Sequence, residues 1–133
     1  MPNITTTNVD IGSVILEGGE FRDDEITFGG AGTLVEGTIL ARDSASGLLV
    51  PFVKGGVTDG NGVPKAILTY GVEAVGAGDE PARVAVSGKF RKERLVIDAD
   101  GDASNVDAVV IDQLRDYSLV PVDVDELNIL GNQ

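Results

Sequence analysis

The sequence predicts a mainly β domain that carries one short helix. Three observations lead there. Apolar residues come in short alternating runs between residues 66 and 97. Eighteen glycines punctuate a chain of 133 residues, which implies many turns. One stretch, after Ser104, repeats its apolar residues at helical spacing.

The elements follow in chain order. Residues 1–11, MPNITTTNVDI, hold three consecutive Thr and no Lys or Arg. β-branched residues suit an extended chain, yet the stretch has too few large apolar groups to bury itself. It reads either as a disordered tail or as an arm that becomes a strand at a partner's sheet edge. The domain then begins near residue 12. Val14-Ile15-Leu16 and Glu25-Ile26-Thr27-Phe28 are expected as short strands around a Gly18-Gly19 turn. Gly29-Gly30-Ala31-Gly32 is a hinge or loop. It is not a phosphate cradle, because no Lys-Ser/Thr ending and no helix follow it.

The next signal is a hairpin. In GTILARDSASGLLVPF, residues 37–52, the apolar runs 38–41 and 48–50 flank the polar insert Arg42–Gly47. Asp and Ser bond their own backbone in turns, and Gly accepts positive φ. GGVTDGNGVPKA, residues 55–66, is a glycine-rich loop with the turn dipeptides Asp59-Gly60 and Asn61-Gly62. Residues 66–78 and 82–97 are the clearest strand signals. In the second, Val84, Val86 and Phe90 alternate around Ser87-Gly88, and that Gly marks a bulge or bend. Lys89, Arg91, Lys92 and Arg94, four of the ten cations, cluster here and are expected on a solvated face. Ser104 is the expected cap of the helix, with Asp107 three residues on. Val106, Val109, Val110, Leu114 and Tyr117 form its apolar face, and Arg115 sits in its last turn. Leu119-Val120 can return as a strand, and Pro121 confines it to an edge.

Composition narrows the function. There is no Cys and no His, which removes disulfides, thiolate zinc sites, cysteine nucleophiles and histidine proton shuttles. The net charge is −12, so the surface repels phosphate backbones and argues against direct nucleic-acid binding. No apolar run approaches the length of a membrane span, and the N-terminus lacks the pattern of a signal peptide. A soluble protein made in the cytoplasm is expected. Asp98, Asp100, Asp102 and Asp107 resemble the start of a calcium loop. The sixth and twelfth places hold Ala103 and Val109 instead of Gly and Glu, so the pattern fails. With no nucleophile–base signature either, neither an enzyme nor a cofactor is expected.

The stretch from Gly37 to about Tyr117 resembles the head decoration proteins of tailed bacteriophages, the family of lambda protein D. GTILARDSASGLLVPF is similar to that family's early hairpin. GVPKAILTYGVEA is similar to its central strand, rich in small residues. DEPARVAVSGKFRKERL is similar to its hallmark, an apolar strand running into Ser/Thr-Gly-x-Phe-Arg, and a helical segment follows in both. The chain departs from lambda protein D in its N-terminal sequence and in a longer C-terminal extension.

The resemblance implies a fold and a role. The fold is a β-clip-like bent ribbon or incomplete barrel with little helix and an extended N-terminal arm. It divides into an arm, 1–11, and a single β-rich domain, 12–133, with a C-terminal extension. The role is a virion one: homotrimers on the outer surface of the mature capsid, at three-fold and quasi-three-fold axes, stabilise it against internal DNA pressure. The arm would bind the major capsid protein through Ile4, Thr5, Thr6, Thr7, Asn8 and Val9, completing a sheet edge. Three linked copies would bind as one unit, gaining about 10²–10⁴ in avidity. The alternative is another virion β-module, such as a tail-fibre or receptor-binding domain.

One prediction follows from the missing ligands. Chelator treatment is expected to leave capsid binding unchanged, as read by co-sedimentation with shells. Release of the protein by chelator would return the Asp98–Asp107 run to the list of metal sites.

Overall fold

The computed structural model describes residues 14–123. Ten strands, one α-helix and one 3-10 turn make up its regular structure. Strand accounts for 45% and helix for 11%, so the mainly β class holds.

The organising feature is a long two-stranded ribbon that bends. β1 (Ile15–Gly18) and β2 (Phe21–Phe28) form one side. β8 (Gly78–Ala85) and β9 (Gly88–Arg91) form the other. β2 pairs antiparallel with β8, Phe21 opposite Ala85 and Phe28 opposite Gly78. β1 pairs antiparallel with β9, Gly18 opposite Gly88. Both strands turn the corner at the same height, one at Gly18-Gly19 and the other at Ser87-Gly88. The corner is tight. Ser87 Oγ accepts from the Glu20 N–H at 2.8 Å, and the Val86 N–H donates to the Glu20 carbonyl at 2.8 Å. Gly88 has φ +132°, and a Cβ there would lie 2.9 Å from the Glu17 carbonyl oxygen. Gly18-Gly19 therefore does not close a hairpin between neighbours, as a sequence turn suggests. It carries the chain from one sheet to another.

On one side of the bend, β2 and β8 join a closed five-stranded barrel in the order β2-β5-β4-β6-β8. β4 (Ile39–Arg42) and β5 (Leu49–Pro51) are the expected hairpin, with Ala41 opposite Val50. Its turn uses the predicted chemistry: Asp43 Oδ1 accepts from the Ala45 N–H at 2.8 Å, and Gly47 has φ +79°. β6 (Pro64–Leu68) lies on the other flank of β4. The ring closes at a thin seam, the parallel pair Ile26 and Leu49. Beyond the bend, β1 and β9 join β10 (Leu119–Val122) in a three-stranded sheet, β1-β9-β10. β10 is an edge strand, as Pro121 requires. A third, two-stranded sheet pairs β3 (Gly32–Leu34) with β7 (Val72–Ala74).

Two apolar cores result. The barrel interior holds Ile26, Leu40, Leu49, Ala66, Leu68, Ala82 and Val84. The second core lies between the barrel wall and the three-stranded sheet with its helix. It holds Ile39, Phe52, Ile67, Phe90, Leu95, Leu114 and Leu119. Side chains alternate across a strand, so β4 gives Leu40 to one core and Ile39 and Ala41 to the other. β6 does the same with Leu68 and Ile67. This is why these strands read as continuous apolar runs.

Several expected boundaries shift. The 66–78 segment is two strands, β6 and β7, broken at Thr69–Gly71, because β7 leaves the barrel to pair with β3. β8 starts at Gly78, four residues before the sequence signal at residue 82, because it must match all eight residues of β2. The helix, α1, spans Ala108–Asp116 and is capped by Asp107, whose side chain accepts from the Val110 N–H. Ser104 is not the cap. Its N–H is taken by Asp102 Oδ1 at 2.9 Å in a preceding turn. Val110 and Leu114 are buried as expected, but Val109 is 64% exposed.

Gly37 tests this architecture. It has φ +92°, and a Cβ would lie 2.1 Å from the Arg94 carbonyl oxygen. Gly37→Ala is expected to lose about 2–5 kcal/mol in urea unfolding, since strain and overlap add. Gly47→Ala, at φ +79° with open space around it, should lose only about 1–2 kcal/mol. Equal losses would show that backbone conformation alone sets the cost.

Candidate functional site

The arm residues Ile4, Thr5, Thr6, Thr7, Asn8 and Val9 lie outside the described residues. The structure does fix their root. Val14 is fully buried in the second core. Its carbonyl accepts from the Arg91 N–H at 2.7 Å, and its N–H faces Glu36 Oε2 at 3.4 Å. The chain therefore enters the domain at the edge strand of the three-stranded sheet, wedged between β9 and the Gly37 corner. A force on residues before Val14 is delivered directly to the core.

The surface away from this root shows two apolar groups. At the end formed by β3 and β7, Val35 and Tyr70 are about half exposed, and Val75 is 95% exposed. Leu34 pairs with Val72, so Val35 and Tyr70 flank the same rung of that small sheet. The second group sits on the glycine-rich loop, where Val57 is 95% exposed. That loop is built, not slack. Asp59 (φ +48°) and Gly60 (φ +83°) make its tip, closed by the Asn61 N–H to the Thr58 carbonyl at 3.0 Å. Both central residues have positive φ, which is the reason for the Asp-Gly dipeptide. Asn61 Oδ1 accepts from the Thr58 N–H at 3.1 Å. The loop is then strapped to α1: Gln113 Nε2 donates to the Gly62 carbonyl at 3.2 Å, and Lys54 pairs with Asp107. The Lys65 ammonium stands 4.0 Å over the Tyr117 ring.

The acidic run serves folding. Asp102 closes the turn before the helix and Asp107 caps it. The Ser104 hydroxyl and N–H hold the Asp102 carboxyl below the usual carboxylate range. The Lys54 ammonium and the Val110 N–H do the same for Asp107. Among the described residues, no three acidic side chains converge as a metal-ligand set. On the barrel, partial burial pushes the Asp24 carboxyl up. The Arg42 guanidinium at 2.8 Å, the Glu25 N–H and the charge of Arg22 together outweigh it and hold the carboxyl low. The basic cluster is solvated at Lys89, Lys92 and Arg94, with Arg91 half-buried. Among the described residues no helix is long and apolar enough to cross a membrane.

The loop–helix strap had no signature in the sequence. Lys54 and Asp107 are 53 residues apart, and Gln113 and Gly62 are 51 apart. Only the three-dimensional path of the chain brings them together.

The chain matches the model of the family described as bacteriophage lambda head decoration protein D over residues 4–119. That match includes the arm and runs to the first residue of β10. No curated protein matches the chain significantly.

Two measurements check the site's electrostatics. A depressed carboxyl stabilises the fold above its unfolded value and loses that contribution as pH falls through its folded value. Asp24, Asp102 and Asp107 start from 3.8, so their contribution should be complete well above pH 3.8 and disappear below it. Asp107→Ala should lower the unfolding midpoint and flatten this acid limb. Asp107→Asn keeps a cap acceptor and should lower the midpoint less. Equal midpoints for the two variants would assign the whole effect to the charge.

Proposed function

The chain belongs to the family of bacteriophage lambda head decoration protein D, and from that premise we propose how it decorates a phage head. It binds the outer surface of the mature capsid as a homotrimer at three-fold and quasi-three-fold axes. There it stabilises the shell against the pressure of packaged DNA. Residues 4–9 pair with a sheet edge of the major capsid protein, the globular body fills the gap above, and no catalysis is involved.

The single observation that carries the reading is the family match, which spans the arm and the body together. Three structural features support it. The root of the arm is buried at Val14, so tension on the arm is borne by the second core. Exposed apolar groups on β3–β7 and on the 53–63 loop offer area for contacts with neighbouring copies and with the shell. The net charge of −12 keeps free copies apart until multivalent contact overcomes repulsion.

The test is binding to isolated expanded capsids. Full-length protein should bind saturably, whereas a tail-fibre module would not. Deleting residues 2–11 should leave a folded body that no longer holds the shell. Thr6→Ala should be mild, because backbone pairing does not need the side chain. Thr6→Pro removes a donor and fixes φ, and should weaken binding by about tenfold. Undiminished binding of the truncated protein would place the contact on the globular body instead.

A further inference from the structure

The charge balance of the chain is uneven in one place. Ten cations face 22 acidic residues, yet three of those cations line one depression of about 500 Å³. They are Lys89, Lys92 and Arg115. All three are exposed. Lys89 has a long contact, 3.6 Å, with Glu17. Among the described residues, Lys92 and Arg115 have no ion-pair partner. The floor between them is apolar, from Ile111 on α1 and Val120 and Val122 on β10.

The described chain ends at the rim of this depression, at Asp123. Ten residues follow, VDELNILGNQ. They begin with two acids, Asp125 and Glu126, and continue with Leu127, Ile129 and Leu130. The charges complement the rim, and the apolar residues complement the floor. This segment also lies beyond the family match, which stops at residue 119. Backbone pairing is a poor way to hold it. β10 is an edge strand interrupted by Pro121, and proline blunts strand addition. An occupant must be held by side chains.

We infer that the C-terminal segment 124–133 docks into this depression on its own chain, with Asp125 and Glu126 against Lys92 and Arg115. In that position it covers Ile111, Val120 and Val122 and neutralises the local cations. Tethering favours the own-chain partner, because ten residues leave from the rim itself and the effective concentration is high. The docking belongs to the free chain and does not rest on the capsid reading.

Amide hydrogen exchange of residues 125–130 in the full-length protein at low ionic strength tests it. Exchange should be about tenfold slower than in an unstructured peptide, the weight of a few exposed ion pairs acting together. Raising salt to about 1 M should remove that protection. Lys92→Glu with Arg115→Glu should abolish it, and so should Asp125→Lys with Glu126→Lys. The four substitutions combined should restore it, which a folding defect would not do. Exchange at the unstructured rate in the unmodified protein would overturn the inference. So would protection that ignores the charge reversals, or protection that grows with protein concentration, which marks a second copy as the partner.

Discussion

The molecule depends on one backbone joint, the dipeptide Gly37-Thr38. All four of its backbone polar groups are used. The Gly37 N–H donates to the Leu68 carbonyl, and its carbonyl accepts from the Val96 N–H, both at 2.9 Å. The Thr38 N–H donates to the Val35 carbonyl, and its carbonyl accepts from the Leu68 N–H at 3.0 Å. Thr38 is fully buried, and its hydroxyl is satisfied by the same Val35 carbonyl at 2.6 Å. A buried polar group left without a partner costs about 1–3 kcal/mol, so the joint holds only as a complete set. It ties the barrel strand β6, the end of β3 and the segment after the 3-10 turn at one point. Val14, the root of the arm, packs against it.

The bent ribbon does the complementary work. It joins the same two bodies through continuous strands, while Gly37-Thr38 joins them through a crossing. Between the two joints lies the second core, into which β4, β6 and β8 project their outward side chains. A domain built this way has no cleft between its parts and little freedom to flex. That suits a protein whose value is a surface held in fixed relation to an anchoring arm. The glycine-rich loop shows the same economy, with a tip set by Asp59-Gly60 and a strap to α1.

The sequence made legible whatever is local. The 38–51 hairpin, the Asp59-Gly60 turn, the bend at Gly88 and the edge placement of Pro121 each rest on chemistry within a few residues. The helix was legible in its face, through Val110 and Leu114, and illegible in its start. Three candidate caps, Asp102, Ser104 and Asp107, compete within six residues, and the Asp102 turn decides the outcome. What stayed hidden is long-range: the partner of β7, the Lys54–Asp107 strap, and the use of β4 by two cores. An exposed Val109 was invisible for the same reason, since the width of a buried stripe is set by what packs against it. For the candidate site, the sequence named the arm residues through its family resemblance. The structure adds the buried root from which that arm departs.

The central claim is that this body sits on a phage head, anchored through the segment before Val14. Electron cryomicroscopy of the intact virion tests it most directly. The account predicts density for three copies on the outer face of the expanded shell at each three-fold and quasi-three-fold position. The edge of the β1-β9-β10 sheet should face the major capsid protein, with residues 4–9 extended along it. Density for this chain on the tail, or three-fold positions left bare on heads that contain it, would contradict the account.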